Sequence, residues 1–310
     1  MPTIKPTIAL EAVQSLLVEF LGDRVTDIAP IAEGQISRVF ACMAAGQGYI
    51  IRFAEPNVSG FQKEQFLFTQ LTPQQPRLQE KVAPPIHLGH FGDYEFIITR
   101  RLAGQPLTSL TPAEYQVVLP SLIETHYLIQ RIDVGATAGY GHVDNDGQGL
   151  FDSWPAFILD VREEQDESLF YGKWHHMFDD TFLNRAQFDT FFAKMEGLLT
   201  FCPSDRWLIH GDYGFDNVLA LDGRVTGVID WSIKYGDFLM DIGFLQLWTP
   251  DIDYAALVRA YYQGQGLEIP NLTERVRCYE LYVGLEAMKF FAKTNQQPAY
   301  EFVCKRLTDI

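Results

Sequence analysis

The chain has 310 residues, of which 47% are hydrophobic and 21% charged, and no low-complexity run interrupts it. This composition excludes a disordered protein, and the length favours two domains or two lobes over one small core. The formal net charge of −16 disfavours binding to nucleic acid or to an anionic membrane, because both partners need clustered Lys and Arg. Residues 1–104 carry 9 basic and 10 acidic side chains, whereas residues 105–310 carry 15 and 30. Solubility explains this excess of negative charge, and a cationic ligand of the second part is the alternative explanation.

The N-terminal sequence contains a helical pattern from Leu10 to Leu21 that does not resemble a secretory signal, because Glu11 and Glu19 interrupt its apolar character. No run of about 18 apolar residues predicts a membrane-spanning helix. We expect a cytoplasmic protein with buried, reduced thiols, since its cysteines lie far apart and form no CxxC pair. These cysteines are Cys42, Cys202, Cys278 and Cys304.

After that helix, the first hundred residues predict the order β-β-α-β-β. Short apolar runs separated by turn residues predict the strands, and helical spacing of apolar residues predicts the helix between them. The predicted strands are Ile36–Met43, Tyr49–Phe53, Ile86–Phe91 and Tyr94–Thr99, and the predicted helix is Phe61–Leu71.

Beyond Gly104 the pattern becomes mainly helical. Thr111 and Glu114 form a capping-box signature before the first predicted helix. The predicted helices are Pro112–Arg131, Leu183–Phe201, Ile252–Gly264 and Asn271–Lys293. Val218–Asp230 predicts a hairpin about Asp222-Gly223, and residues 135–180 have no clear period, which allows a long substrate loop or several short helices. The predicted fold class is α+β, with a small β-rich lobe over residues 1–103, a hinge near 99–104 and a larger, mainly helical lobe over 104–310.

One motif carries chemistry. His210-Gly211-Asp212 is followed by Asn217 five residues after the aspartate, and Asp230 follows the predicted hairpin. This spacing is typical of protein-kinase-like phosphoryl transfer, in which one aspartate accepts the hydroxyl proton and an amide and a second carboxylate bind Mg²⁺. A two-residue turn would place Asn217 opposite Val228, with Asp230 as its diagonal neighbour at roughly 7–8 Å.

The sequence resembles the aminoglycoside phosphotransferase family, whose catalytic motif is H-G-D-x-x-x-x-N followed by D-[FW]. Its segments are most similar to those of members that phosphorylate hygromycin B, over most of the chain except about residues 150–204. These segments are Glu33-Gly34…Ser37-Arg38, Gly48-Tyr49…Arg52, Arg100-Arg101…Gly104, Ala138-Gly139-Tyr140-Gly141, Val228–Ser232 and Gly284-Leu285. The resemblance implies a protein-kinase-like, two-lobed fold and an enzyme that uses ATP (or GTP) and Mg²⁺.

The resemblance also implies roles for residues of the larger lobe. Asp212 is expected to be the catalytic base, Asn217 and Asp230 to hold Mg²⁺, and His210 to brace the catalytic loop. Asp237 and Asp241 are expected to support that loop. From the residues alone, the favoured interpretation is structural: Asp237 is an N-cap, and Asp241 is the helix position four residues later.

In the smaller lobe the resemblance implies a nucleotide site. Gly34 and Ser37 occupy the phosphate-covering turn, which has one glycine rather than a full glycine-rich loop. Arg52 stands where most of the family has Lys, with Glu64 as its expected ion-pair partner, although both could be ordinary solvent-facing residues. The backbone from Arg100 to Leu102 is expected to meet the adenine.

The expected acceptor is a small cationic molecule, an aminoglycoside or aminocyclitol such as hygromycin B. Its candidate carboxylates are Asp216, Glu280 and Glu286, together with acidic residues of the segment 152–167. Trp154, Tyr171 and Trp174 could stack on sugar rings or pack in the core. A metabolite kinase of the same fold and a catalytically silent nucleotide-binding module remain alternatives. We expect a monomer with no nucleic-acid or membrane partner.

Overall fold

The computed structural model of the protein describes residues 6–31, 37–56, 59–167 and 169–310. The strands in these residues are β1 (Val25–Ile31), β2 (Arg38–Ala44), β3 (Gln47–Ala54), β4 (Pro85–Phe91), β5 (Tyr94–Arg100), β6 (Gln105–Pro106), β7 (Tyr140–Val143), β8 (Gly149–Phe151), β9 (Trp207–Ile209), β10 (Val218–Leu221), β11 (Arg224–Val228) and β12 (Lys234–Gly236). The α-helices are α1 (Leu10–Leu21), α2 (Phe61–Phe66), α3 (Pro76–Gln79), α4 (Pro112–Gln130), α5 (Trp154–Leu159), α6 (Met177–Asp180), α7 (Arg185–Leu198), α8 (Leu239–Trp248), α9 (Tyr254–Gly264), α10 (Leu272–Lys293) and α11 (Gln297–Thr308). The predicted α+β class is confirmed.

The chain forms two compact units, each assembled from separate stretches of sequence. The first comprises the described residues of Met1–Leu128, Asp144–Gly147 and Phe215–Trp231, and the second those of Ile129–Val143, Gln148–Gly214 and Ser232–Ile310. The first unit is larger than the predicted nucleotide-binding lobe, because it also takes in the β10–β11 hairpin. The predicted division near residue 103 concerns function and stays a prediction.

The first unit is built on a five-stranded antiparallel sheet in the order β1-β2-β3-β5-β4. Alternation along β3 places Ile51 and Phe53 in the core, where Val13 and Leu17 of α1 pack against them. Arg52, between these two core residues, points to the opposite face of the sheet. The sheet therefore carries its core on one face and the arginine on the other.

The predicted elements of this region are confirmed, with one omission. The predicted hairpins β2–β3 and β4–β5 are present, and residues 38–43 of the first predicted strand lie in β2. Strand β1 was missed, because the register shifts between Thr26 and Ala29 and Asp27 adopts a positive φ of 56°. Such a bulge destroys the period-2 signal that reveals a strand. The helix predicted to end at Leu71 continues past α2 as a π-helical turn over Leu67–Leu71.

The β10–β11 hairpin, with β6 as its third strand, corrects the predicted register. Leu221 pairs with Arg224 as expected, but Val228 pairs with Val218 rather than Asn217. The cause is a bulge at Thr226, whose hydroxyl donates hydrogen bonds to Ala103 O at 2.6 Å and Leu219 O at 3.4 Å. The extra residue leaves Asn217 O to accept the Ile229 N–H at 2.9 Å.

The second unit combines a four-stranded sheet, in the order β8-β7-β12-β9, with a helical core around α10. Helix α10 packs against α7, α8 and α11, and Gly243 of α8 permits the closest approach. A Cβ at Gly243 would lie 2.6 Å from the Tyr279 Cβ, so a larger residue would separate the two helices. The irregular segment 135–180 contains β7, β8, α5 and α6, which departs from both predicted alternatives by including strands.

The capping box at the start of α4 is confirmed, since Thr111 N–H donates to the Glu114 carboxylate at 2.8 Å and Glu114 N–H donates to Thr111 Oγ1 at 3.3 Å. These hydrogen bonds satisfy donors that a helix N-terminus otherwise leaves unpaired. Across the part of the chain that the structure describes, no helix is both long and apolar enough to cross a membrane.

Candidate active site

The loop that follows β9 is held by a buried carboxylate of the second unit. Asp241, in the first turn of α8, is 1% exposed. Its two oxygens accept the N–H groups of His210 at 2.9 Å and Gly211 at 2.8 Å. Gly211 has a φ of 87°, and a Cβ there would lie 2.3 Å from Ser232 O, so only glycine fits. The backbone leading into Asp212 is therefore fixed by both charge-assisted hydrogen bonds and steric exclusion.

His210 continues this support toward Asp212. Its side chain is fully buried, and its Nδ1 accepts the Asp212 N–H at 3.2 Å. An Nδ1 that accepts a hydrogen bond carries no proton, so the imidazole is held in its Nε2–H tautomer when neutral. Asp212 itself is only half-buried. The residue predicted as the catalytic base thus sits on a rigid backbone with its side chain accessible.

The surroundings of Asp241 shift its ionisation. Burial raises the pKa of Asp241 to about 7, and the Asp212 charge adds to the rise, whereas the two backbone hydrogen bonds and Lys234 oppose it. Lys234 is buried and donates to Gly211 O at 3.3 Å and to Ser232 Oγ at 3.0 Å. A cation at this position stabilises the ionised form of the carboxylate beneath the loop.

Asp237 anchors the start of α8. It is fully buried and accepts hydrogen bonds from Arg275 at 2.8 and 2.5 Å, from the Tyr279 hydroxyl at 2.6 Å and from Leu239 N–H at 3.1 Å. The bond to Leu239 satisfies one donor at the start of α8, but the N-cap residue is Phe238, so the expectation that Asp237 is the N-cap is wrong by one residue. The Arg275 and Tyr279 bonds join α8 to α10, and thereby fix the helix turn that carries Asp241.

The predicted metal ligands lie at one end of the hairpin in the first unit. Asn217 directly precedes β10, and Asp230 lies two residues beyond β11. The Ile229 N–H bonded to Asn217 O closes this end, and Asp230 adopts a φ of 56°, which is uncommon for a non-glycine residue. An amide oxygen and a carboxylate are hard oxygen donors of the kind that Mg²⁺ prefers. The residues present therefore fit a magnesium ion chemically.

The ion pair predicted between Arg52 and Glu64 is present in the first unit, with both side chains mostly buried. The Arg52 guanidinium also lies 5.2 Å from the centre of the Phe61 ring. Burial lowers the pKa of Arg52, but the charges of Glu64 and Asp230 outweigh this and raise it. Arg52 is thus a permanent cation in the field of a predicted metal ligand, rather than a solvent-facing strand residue.

The remaining predicted nucleotide contacts are placed as follows. Gly34 lies outside the described residues, and Ser37 is half-buried immediately before β2. In the predicted hinge, Arg100 N–H donates to Pro84 O at 3.1 Å and Arg101 N–H to Gly48 O at 2.9 Å. Leu102 packs against Gly227, and a Cβ added to Gly227 would lie 2.9 Å from the Leu102 Cδ1. The hinge backbone is therefore tied to the sheet.

The acceptor candidates are distributed over both units. Asp216 is exposed in the first unit and accepts a hydrogen bond from the Thr108 hydroxyl. Glu280 is 5% exposed and lies 3.5 Å from Arg306, whereas Glu286 pairs with Lys289 at 2.6 Å. Glu280 and Glu286 both belong to α10, and six residues separate their directions by about 120°. One ligand cannot take both carboxylates from the same side of the helix.

The cation beside Glu286 is Lys289, which was not among the residues predicted from the sequence. Lys289 is 1% exposed, donates to Val161 O at 2.8 Å and lies 4.7 Å from the centre of the Tyr171 ring. Asp160 shares this environment: burial raises its pKa, Lys289 opposes the rise, and Glu163 and Glu286 add to it. The three-residue spacing of Glu286 and Lys289 was the available signal, because such pairs share a helix face.

Two aromatic candidates for stacking on sugar rings prove to be core residues. Trp154 and Trp174 are fully buried. Their indole N–H groups donate to the Tyr279 hydroxyl and to Glu163 O. Tyr171 remains half-buried, with its hydroxyl donating to Glu286 O at 3.3 Å.

The environment of Glu280 predicts a pH dependence of stability. Burial raises the pKa of Glu280 to about 7 despite Arg306 and Arg277, so the folded protein binds a proton that the unfolded chain releases near its ordinary pKa of 4.5. The free energy of unfolding should therefore fall as pH rises from about 4.5 to about 7. We expect Glu280→Gln, which stays neutral, to remove about 3 kcal/mol of this fall in guanidinium unfolding curves. An undiminished slope would contradict the assignment, and Glu268→Gln, at an exposed position, serves as the matched control.

The sequence and the fold of this chain are similar to those of known phosphotransferases. The model of a phosphotransferase enzyme family, APH, matches residues 27–279. Hygromycin-B 4-O-kinase of Escherichia coli is 28% identical over 289 residues, which is 92% of this chain and 80% of that protein. A thermostable mutant of aminoglycoside phosphotransferase APH(4)-Ia, solved with ADP and hygromycin B, is 25% identical with a TM-score of 0.79, over 96% of this chain and 97% of that one. Spectinomycin phosphotransferase APH(9)-Ia, solved with ADP and spectinomycin, shares only the fold, at 12% identity and a TM-score of 0.63, over 98% of each chain.

An α+β fold with a buttressed His-Gly-Asp loop and a strand arginine paired with a helix glutamate defines a kinase-like phosphotransferase. The chain belongs to the APH phosphotransferase enzyme family. The resemblance and the enzyme class predicted from the sequence are confirmed.

Proposed function

We propose that this enzyme transfers the γ-phosphoryl group of Mg·ATP to a hydroxyl of hygromycin B or of a closely similar cationic aminocyclitol, and so confers resistance to it. The observation that carries the proposal is the Asp212 loop, held by Asp241 and His210 as a proton-accepting site requires. The similarity to a hygromycin-B kinase over 92% of the chain supports the acceptor. A silent module would need neither this supported loop nor an intact Asn217 and Asp230.

Nucleotide binding is assigned to residues of the first unit. Asn217 and Asp230 would hold Mg²⁺, which when bound neutralises phosphate charge. Arg52 presents a planar, permanently charged guanidinium to phosphate oxygens, with Glu64 fixing its direction. Gly34 and Ser37 are assigned to the turn over the phosphates, and the backbone from Arg100 to Leu102 to the adenine.

The proton of the attacking hydroxyl is assigned to Asp212. A carboxylate that is not a metal ligand can accept this proton as the hydroxyl oxygen bonds to phosphorus. The loop contacts of His210 and Asp241 keep the base in position, which reduces the entropy lost on reaching the reactive geometry. The enzyme's contribution is therefore mainly positioning and electrostatics.

The acceptor is assigned to carboxylates of the second unit. Asp160 and Glu286, with Lys289 close to both, form the described cluster best suited to a ligand that carries ammonium groups. Residues 105–310 hold 30 acidic and 15 basic side chains, which would raise the local concentration of a polycation. Asp216 remains a candidate because its carboxylate is exposed. Glu280 is the least suited, since burial favours its neutral form.

The assignment of Arg52 predicts a nucleotide defect. Arg52→Gln removes the cation and leaves Glu64 and Asp230 uncompensated. We expect the KM for ATP to rise by about tenfold or more, because a charged hydrogen bond contributes about 1.5–3 kcal/mol. Arg52→Lys is the matched variant and should lose less, since it keeps the charge. An unchanged KM for ATP in Arg52→Gln would contradict the role.

A panel assay separates the proposal from its alternatives. The enzyme is incubated with Mg·ATP and one acceptor at a time, namely hygromycin B, other aminoglycosides, choline-like alcohols and neutral sugars, and ADP release is followed. Turnover with hygromycin-type compounds alone supports the proposal. Turnover with an amino-alcohol or a sugar would identify a metabolite kinase, and ATP binding without turnover would identify the silent module. Repeating the assay with GTP defines the nucleotide.

We further propose that the enzyme acts as a monomer in the cytoplasm, where ATP is available. Free rather than paired cysteines are in keeping with a reduced compartment. Light scattering at assay concentrations tests the oligomeric state.

A further inference from the structure

Two of the four cysteines, Cys202 and Cys278, are neighbours in the second unit. Cys202 follows the 3₁₀ turn that ends α7, and Cys278 lies on α10. Each thiol is the largest influence on the pKa of the other, as expected of neighbouring groups. Cys42 and Cys304 are buried on β2 and α11, where no such thiol partner is found among the described residues.

Both thiols also contact backbone carbonyls of the last turns of α7. Cys202 Sγ donates to Leu198 O at 3.9 Å, and Cys278 Sγ donates to Met195 O at 3.6 Å. These carbonyls are three residues apart on one helix, so they lie on the same face about 5 Å from each other. The two thiols therefore converge on the same short stretch of α7.

The two thiols differ in reactivity. Cys202 is half-buried, whereas Cys278 is fully buried. The neighbouring Cys278 thiol lowers the pKa of Cys202 most and Tyr279 and Arg275 add to this, while burial and Asp237 oppose them. Burial raises the pKa of Cys42 and Cys304. A reachable thiol with an increased thiolate fraction, beside a second thiol, is the arrangement of an attacking and a resolving cysteine.

We propose that Cys202 and Cys278 are a redox-active dithiol that closes to an intramolecular disulfide on exposure to a hydroperoxide. The Cys202 thiolate attacks a peroxide oxygen, which forms an S–O bond, breaks the O–O bond and releases water after proton uptake. The Cys278 sulfur then attacks the sulfenic sulfur, so an S–S bond forms, the S–O bond breaks, and the hydroxide leaves as water with the Cys278 proton. Two thiols lose two electrons, and one hydrogen peroxide becomes two waters.

This site lies next to the network that anchors α8. Tyr279, the residue after Cys278, donates its hydroxyl to Asp237, and Arg275 of the same helix donates to both oxygens of that carboxylate. A disulfide would join the end of α7 covalently to this part of α10. Dithiothreitol should restore the dithiol, because the reaction stops before irreversible oxidation.

Peptide mapping tests the proposal directly, because trypsin places each cysteine on its own peptide. Cys202 falls in residues 195–206, Cys278 in 278–289, Cys42 in 39–52 and Cys304 in 294–305. The full-length enzyme is treated with hydrogen peroxide, alkylated without reduction and digested. We expect peptides 195–206 and 278–289 to be joined, with a mass lower by two hydrogens than their sum, and to separate with dithiothreitol.

Two variants make the result decisive. In Cys278→Ala the disulfide cannot form, so Cys202 should stop at a sulfenic acid that dimedone traps on residues 195–206. In Cys304→Ala, the matched control, cross-linking of Cys202 to Cys278 should be unchanged. The proposal is overturned if peptides 195–206 and 278–289 stay separate after peroxide, if Cys42 or Cys304 is oxidised first, or if Cys202 is not trapped in Cys278→Ala.

Discussion

Asp212→Asn is expected to abolish turnover while Mg·ATP binding persists. The amide cannot accept the proton of the attacking hydroxyl, and a positioned general base contributes about 10²–10⁴-fold to the rate. The His210 and Asp241 contacts of the loop use backbone N–H groups, so they survive this side-chain change. Steady-state ADP release measures kcat, and calorimetric titration with Mg·ATP measures nucleotide affinity.

Asp222→Asn is the matched control for this variant. Asp222 is exposed in the β10–β11 turn with a φ of 50°, a conformation that asparagine tolerates well. It should keep wild-type kcat. Asp212→Asn activity above about a tenth of wild type would contradict the assignment of Asp212 as base, because such a loss is below the general-base range.

Asp241→Asn should damage both stability and turnover. The wild-type carboxylate accepts two N–H groups on separate oxygens. Asparagine offers one oxygen, so its buried NH₂ would face a backbone N–H and leave donors unpaired, which costs about 1–3 kcal/mol of unfolding free energy. Because the released backbone carries Asp212, we expect kcat to fall at least about tenfold while the KM for ATP changes little.

The measurement must separate positioning from simple loss of structure. Kinetics are therefore recorded at a temperature at which unfolding curves show the variant folded. Asp253→Asn is the control, since Asp253 caps α9 through Ala256 N–H at 2.8 Å and asparagine caps a helix equally well. A folded Asp241→Asn enzyme with normal kcat would show that Asp241 stabilises the fold without positioning the loop.

The sequence predicted the elements and motifs that depend on local spacing. The short apolar runs of β3 and β5, the capping box of α4 and the turn at Asp222-Gly223 are all specified within a few residues, and all are present. The catalytic motif is likewise recognised from the local spacing of its residues. The pairing of Arg52 with Glu64 spans only twelve residues and was inferred from the resemblance.

What the sequence failed to predict depends on contacts between distant residues. The bulge at Thr226 comes with its hydrogen bond to Ala103 O, 123 residues away along the chain. Glu280 is buried against Arg306 of α11, and no local pattern reveals that a glutamate on a helix faces another helix. The burial of Trp154 and Trp174 likewise follows from packing around α10. Long-range packing decided which charged and aromatic residues remain available to a ligand.

The activity proposed for this enzyme is phosphoryl transfer to a cationic aminocyclitol. The most direct test incubates the enzyme with Mg·ATP and hygromycin B and determines the mass of the antibiotic and the amount of ADP. We predict that hygromycin B gains one phosphoryl group and that ADP forms in equal amount. The Asp212→Asn variant should form neither the phosphorylated antibiotic nor ADP. An unmodified antibiotic in the presence of enzyme that binds ATP would contradict it.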